Sequence, residues 1–272
     1  MKFIKENRWL IAGAVIILAT GFVFFSPRIT LQRRLLVSGK HHQENHEWLD
    51  AAADFERVVH YVPLSPLGLE AARLGGGVCL YELKDYPRAI FFFRHLVRHS
   101  QKSVEVRWAQ QKLAEVYYEK LNDYPQAVVE YQRLLQASPT REEAAEYQLK
   151  LGRAYFYQAN FDQAISEAQE FLANNSKSEK KFDFLMLKAD SFLAQKKIED
   201  AIELYTQIEK EFGKTVDLSD VKLNKSLAYE EKKDWDNAIQ ELESIKSTYP
   251  HPDVIELKIE SIQRRKARKR DT

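Results

Sequence analysis

The residues of this chain that could do chemistry are few, and little in their spacing lets them act together. Gly75-Gly76-Gly77 precedes the single cysteine, Cys79. A glycine run can cradle a phosphate, and a thiol can attack an electrophile. No Lys-Ser/Thr follows these glycines, however, and they sit inside a helical pattern, so close packing or a bend is the expected role. His42 and His46 stand one helical turn apart, as do His95 and His99. Such a pair holds a metal only when a third ligand converges on it. The first pair falls in a turn-like phrase, HHQENH, and no third ligand is marked for the second. No nucleophile, base and acid share a usable spacing. The expectation is no catalysis, no metal and no cofactor.

Charge narrows the partners. The net charge of +1 hides a basic run, Arg264, Arg265, Lys266, Arg268, Lys269 and Arg270, and a basic start with Lys2, Lys5 and Arg8. The body between must therefore be acidic. A nucleic-acid groove needs positive charge spread along the body, so nucleic acid is not an expected partner. The basic run complements a helix C-terminus, or binds an anionic lipid or an acidic partner.

What must position these residues is a repeat. Ala51, Ala89, Ala127, Ala164, Ala201 and Ala238 fall 38, 38, 37, 37 and 37 residues apart, each within a phrase such as DYPRAIFFFRHLV or NFDQAISEAQEFL. A large residue stands three positions before each: Trp48, Tyr86, Tyr124, Phe161, Ile198 and Trp235. A period of this size means stacked supersecondary units. Helical spacing at Leu149, Leu151, Gly152, Tyr155 and Phe156, a break, and a second run from Phe161 make each unit an αα-hairpin. The alanine marks the closest crossing of the two helices. Its expected small counterparts on the first helices are Gly39, Gly77, Gly152, Ala189 and Ser226, with Glu115 an exception. Asp85, Asp123, Asn160 and Asp234 are placed to cap the second helices, and Pro87 and Pro125 fall in first turns.

Ahead of the repeats, Trp9 to Phe25 is seventeen residues without a charge. At 1.5 Å per residue it reaches roughly 25 Å, enough for a thin bilayer core. With no A-x-A cleavage site behind it, it reads as an uncleaved span. A short tail ahead of a first span stays inside, so residues 1–27 are read as cytoplasmic tail and anchor, with the rest in a bacterial periplasm. Ala12-Gly13-Ala14 and Ala19-Thr20-Gly21 would let two spans approach as a homo-oligomer, or are ordinary lipid-facing residues.

The pattern resembles the tetratricopeptide-repeat family. The alanines match its twentieth position; Tyr118, Tyr155, Phe192 and Tyr229 its eleventh; Phe55, Phe93, Tyr131 and Tyr205 its twenty-fourth; Pro63, Pro139 and Pro250 its thirty-second. The large Val58, Leu96, Leu134, Phe171, Ile208 and Ile245 depart from its small twenty-seventh position. The stretched repeats are similar to those of bacterial envelope proteins: the Tol-Pal coordinator, the outer-membrane assembly lipoprotein and the translocon-associated periplasmic chaperone. The resemblance implies an all-α, right-handed solenoid of about six hairpins over 28–252, after one transmembrane helix. A capping helix and basic tail would follow over 253–272, with Val254, Ile255, Leu257, Ile259 and Ile262 covering the last hairpin.

It further implies a partner-binding groove lined by Tyr81, Lys112, Glu119, Arg153, Phe156, Asp190 and Glu230, taking an extended peptide or a helix. A carboxylate clamp is not expected, because Val116 stands where such clamps carry Asn. The function expected is a membrane-anchored scaffold in a cell-envelope complex for biogenesis, secretion or motility. The alternative is a periplasmic holding chaperone at the export translocon.

Overall fold

The computed structural model describes residues 30–61, 63–137, 139–175 and 177–270. The predicted span Trp9–Phe25 lies outside these residues. Among them, no helix is long and apolar enough to cross a membrane.

Every described element is helical, and the chain divides into two compact units, Met1–Asp123 and Tyr124–Thr272. The first unit holds α1 (30–44), α2 (Trp48–Tyr61), α3 (Pro66–Gly77), α4 (Tyr86–His99) and α5 (Ser103–Glu115). The second holds α6 (Tyr124–Gln136), α7 (Arg141–Tyr157), α8 (Phe161–Asn174), α9 (Lys181–Ala194), α10 (Ile198–Phe212), α11 (Ser219–Lys232), α12 (Trp235–Ile245) and α13 (Pro252–Arg270). Within each unit consecutive helices pack side by side, as a solenoid of hairpins requires.

All six alanines are fully buried. The cores run from one hairpin into the next. Leu149 of α7, Ala164, Ala168 and Phe171 of α8, and Phe184 and Leu187 of α9 form one cluster. Leu185 and Ala189 of α9, Tyr205 and Ile208 of α10 and Val221 of α11 belong to another. No hairpin buries its apolar face alone, so neighbouring repeats stabilise each other.

Each hairpin turns on one left-handed residue five positions before its alanine: His46, Lys84, Asn122, Ala159, Lys196 and Lys233, with φ between 52° and 63°. The next residue then donates its N–H back into the first helix. In four hairpins it reaches five residues: Glu47 to His42, Asn160 to Tyr155, Lys197 to Phe192 and Asp234 to Tyr229. This is the Schellman closure of a helix C-terminus. In the other two it reaches six: Asp85 to Cys79 and Asp123 to Tyr117. Those are the hairpins whose first helices end in a π-helical turn, Val78–Glu82 and Val116–Lys120. One extra residue has been taken into the helix. The two 38-residue spacings are the ones that contain these turns.

The inserted residue corrects the expected small positions. A Cβ on Gly39 would lie 2.7 Å from Phe55, and one on Gly76 would lie 2.6 Å from Phe93. A Cβ on Gly77 would meet nothing within 4 Å. The crossing residue of the second hairpin is therefore Gly76, not Gly77. In α5 the small residue at the matching position is the buried Ala114, so Glu115 is no exception. Gly152 differs too: a Cβ there would meet Leu187 of the following hairpin at 2.7 Å. Ala168 stands where Phe55 and Phe93 stand elsewhere, and Leu187 fills the room it leaves.

Caps follow the expectation at two of the named positions. Asp85 accepts from the Arg88 N–H at 3.1 Å, and Asp234 from that of Asn237 at 3.4 Å. Asn160 makes no side-chain capping bond. Helix α13 covers α12 with Ile255, Ile259 and Ile262 only. Val254 and Leu257 point to solvent, because helical periodicity puts them off the buried stripe.

Candidate functional site

The candidate chemistry disperses when placed in the fold. Cys79 is buried, and burial pushes its thiol up to about 12, so it is neither an accessible nor an ionised nucleophile. His46 packs edge-on against Trp48 instead of pairing with His42. His42 bonds Glu47 and lies 3.8 Å from Asp54, and the hydrogen bond to Glu47 raises its pKa. The donor atoms of His42, Glu47 and Asp50 lie within 4.8 Å of one another on the exposed first corner. The rings of His95 and His99 lie 4.6 Å apart and tilted at 50°, and Nε2 of His95 lies 2.9 Å from the Pro63 carbonyl. Burial lowers the pKa of His95.

The predicted groove residues of the second unit are largely engaged with the protein itself. Arg153 of α7 donates to Asp183 of α9 at 3.0 Å. Asp190 of α9 accepts from the Tyr205 hydroxyl at 2.6 Å and the Asn224 amide at 3.0 Å. Burial raises the Asp190 pKa against the pull of those two bonds. Glu230 of α11 holds two cations of α13, Lys258 at 2.6 Å and Arg265 at 3.2 Å. Phe156 packs edge-on against Tyr157 and Phe161. Three of them, Arg153 to Asp183, Asp190 to Asn224 and Glu230 to α13, join a helix to the one two elements on, and Glu146 of α7 reaches Lys180, the residue before α9, at 2.8 Å. They are rungs that set the hairpins in register.

The basic tail is partly spoken for in the same way. Arg265 binds Glu230, Lys266 binds Asp236 and Arg264 binds Glu260 of its own helix. Arg268 is exposed with no such partner among the described residues, and the side chains of Lys269 and Arg270 lie outside the described ones.

The first unit keeps an open surface. A groove of about 300 Å³ is lined by Gln43, Trp48, Arg73, Leu74, Gly77, Val78, Tyr81, Glu82 and Trp108. Its floor is one stripe of α3 and the π turn behind it. Trp48, at the start of α2, and Trp108 of α5 stand beside the stripe. Trp108 is fixed edge-on against the buried Phe93 at 5.5 Å. Tyr81 is 53% exposed, and the Lys112 ammonium sits 5.4 Å from its ring centroid. Burial works against the charge of Lys112, but its bonds to Glu115 and Tyr81 win and raise its pKa. Glu119 is exposed beside Lys120. Of the expected groove positions, Tyr81 lines this groove and Lys112 stands behind it. Arg73, Trp108 and Trp48 line it as well; none of the three is among the expected groove positions.

A depression of about 450 Å³ in the second unit carries Trp235, Leu227, Lys196, Glu230, Glu231 and Arg265 on its walls. Its charged rim is closed on itself, Lys196 on Glu231 at 2.8 Å and Arg265 on Glu230 at 3.2 Å.

Among curated proteins, none matches the chain. Solved structures share its fold at low identity. RapI in its apo form is 14% identical, with a TM-score of 0.59 over 88% of this chain and 72% of that one. A tetratricopeptide repeat protein from Parabacteroides merdae is 16% identical, with a TM-score of 0.55 over 88% of this chain and 89% of that one. PilW, described as a widely conserved type IV pilus biogenesis factor, is 15% identical, with a TM-score of 0.52 over 83% of this chain and 97% of that one. Tetratricopeptide-repeat models match residues 36–103 and 149–214 in one form and 108–140 and 220–251 in another. Hairpins turning on a left-handed corner, alanines buried at every crossing and these matches together place the chain in the tetratricopeptide-repeat family.

Proposed function

We propose that this chain is a protein-interaction scaffold tethered to a bacterial inner membrane, which recruits or positions partners in an envelope assembly. The observation that carries the reading is the open groove of the first unit, where the exposed Tyr81 and the half-buried Trp48 and Trp108 stand beside charged groups. Aromatic residues with an arginine nearby are the composition of interaction hot spots. The charge-free run from Trp9 to Phe25, five residues before the first described helix, supports the tether. The fold shared with PilW is compatible with a pilus-type machine, one of the envelope assemblies such a scaffold would serve.

Crosslinking in intact cells, solubilisation in mild detergent and purification of the full chain test the proposal. A few partners in fixed ratio are expected. A broad smear of unfolded clients would favour a holding chaperone, and no partner at all would overturn both. Protease added to spheroplasts should degrade the repeats; their survival would refute the periplasmic placement.

A further inference from the structure

The glycine run holds a residue that packing does not explain. Gly75 and Gly76 are required, because a Cβ on either would lie 2.5 and 2.6 Å from the rings of Phe92 and Phe93. Gly77 has helical dihedrals and nothing within 4 Å of where its Cβ would be. A glycine inside a helix costs about 0.5–1 kcal/mol relative to alanine, and nothing inside the protein requires this one. What its missing side chain does is deepen the floor of the groove beneath Trp48, Tyr81 and Trp108.

The ends of that floor carry opposite charges. Arg73 and Glu82 both face the groove, and both are exposed without an ion pair among the described residues. Nine residues of helix separate them by roughly 13 Å. A groove of about 300 Å³ lies at the low end of ligand-site volumes, room for one or two side chains rather than a cofactor.

Resting on the interaction-module reading above, we infer that this groove is a subsite for a short partner-protein segment that seats one large apolar or aromatic side chain over Gly77. The segment presents a carboxylate to Arg73 and a cation toward Glu82. The apolar residue supplies the burial, and the two exposed charges fix which way the segment lies.

Panning a random heptapeptide display library on the full chain in detergent tests the subsite directly. Enriched peptides should combine a large apolar residue with an acidic one. A Cβ at Gly77 meets nothing within 4 Å, so Gly77→Leu, which fills the floor, should keep the helical circular dichroism of the parent and lose those peptides at least tenfold. Arg73→Glu, a surface change that leaves the packing alone, should switch the enriched acidic residue to a basic one. The subsite is wrong if no peptide is enriched, if Gly77→Leu retains the same peptides, or if Arg73→Glu leaves the preference acidic. Partners crosslinked in cells that persist with Gly77→Leu would likewise overturn it, while leaving the scaffold to work through another surface. Loss of all partners from the parent chain would instead refute the scaffold itself.

Discussion

Alanine at two neighbouring glycines should move stability in opposite directions. At Gly76 the new Cβ would sit 2.6 Å from Cε1 of Phe93, about 1 Å inside the contact distance of two carbons. Phe93 cannot yield, being fully buried with its ring held against Trp108. Overpacking of this kind costs about 1–3 kcal/mol, while alanine returns about 0.5–1 kcal/mol of helix preference. Gly76→Ala should therefore destabilise by about 1–2 kcal/mol. Gly77→Ala meets nothing and should stabilise by about 0.5–1 kcal/mol. The gap, about 1.5–3 kcal/mol, corresponds to roughly 3–12 °C in melting temperature for a chain of this size. Thermal and urea unfolding of both variants, followed by circular dichroism at the helical band, would measure it. Equal stabilities, or a greater loss at Gly77, would refute the register assigned through the π turn.

Three further changes probe other parts of the fold. Lys225 is buried between Glu209 at 2.6 Å and Glu241 at 2.9 Å, so Lys225→Met, which strands two carboxylates, should cost about 3 kcal/mol in urea titrations. Adding Glu209→Gln and Glu241→Gln should recover much of that loss, and no recovery would argue against the triad. Burial opposes the charge of Lys225 but its two bonds override it and raise the pKa. The raised value means that this stabilisation is intact below roughly pH 10 and fades as pH climbs through the folded pKa; in Lys225→Met the alkaline loss should shrink. Ala159→Gly relieves a left-handed alanine at φ 57° and should stabilise by about 1 kcal/mol in the same titration, where a loss would contradict the corner geometry. Glu230→Gln should cost about 1 kcal/mol and speed amide exchange in α13, and unchanged exchange would mean the Lys258 and Arg265 pairs contribute nothing.

The hairpins were legible because a buried crossing tolerates one residue size, and alanine recurs there without exception. The corners were not. Five of the six left-handed positions carry His, Lys or Ala, residues that signal nothing, and only Asn122 matches the chemistry of such a turn. The π turns were hidden for a different reason: one added residue changes the period by one, and a sequence cannot tell a longer loop from a wider helical turn. That ambiguity misplaced the crossing at Gly77 and made Glu115 look irregular. Among the expected groove positions, Tyr81 is one whose side chain stays exposed in an open groove. Asp190 and Glu230 occupy matching positions, but side chains 15 to 35 residues away claim them, a pairing that periodicity does not display.

The π turns also separate length from register. An insertion at the end of α3 or of α5 leaves the left-handed corner, the cap and the alanine in step, since the backbone absorbs the residue before the turn begins. A stack built this way can gain single residues mid-helix without losing its neighbours. Each gain swings the side chains ahead of the bulge by about 100° relative to those behind it. In the second hairpin this frees Gly77 from the crossing and turns it outward, so the same event that lengthened the repeat also made room for something else to be held there.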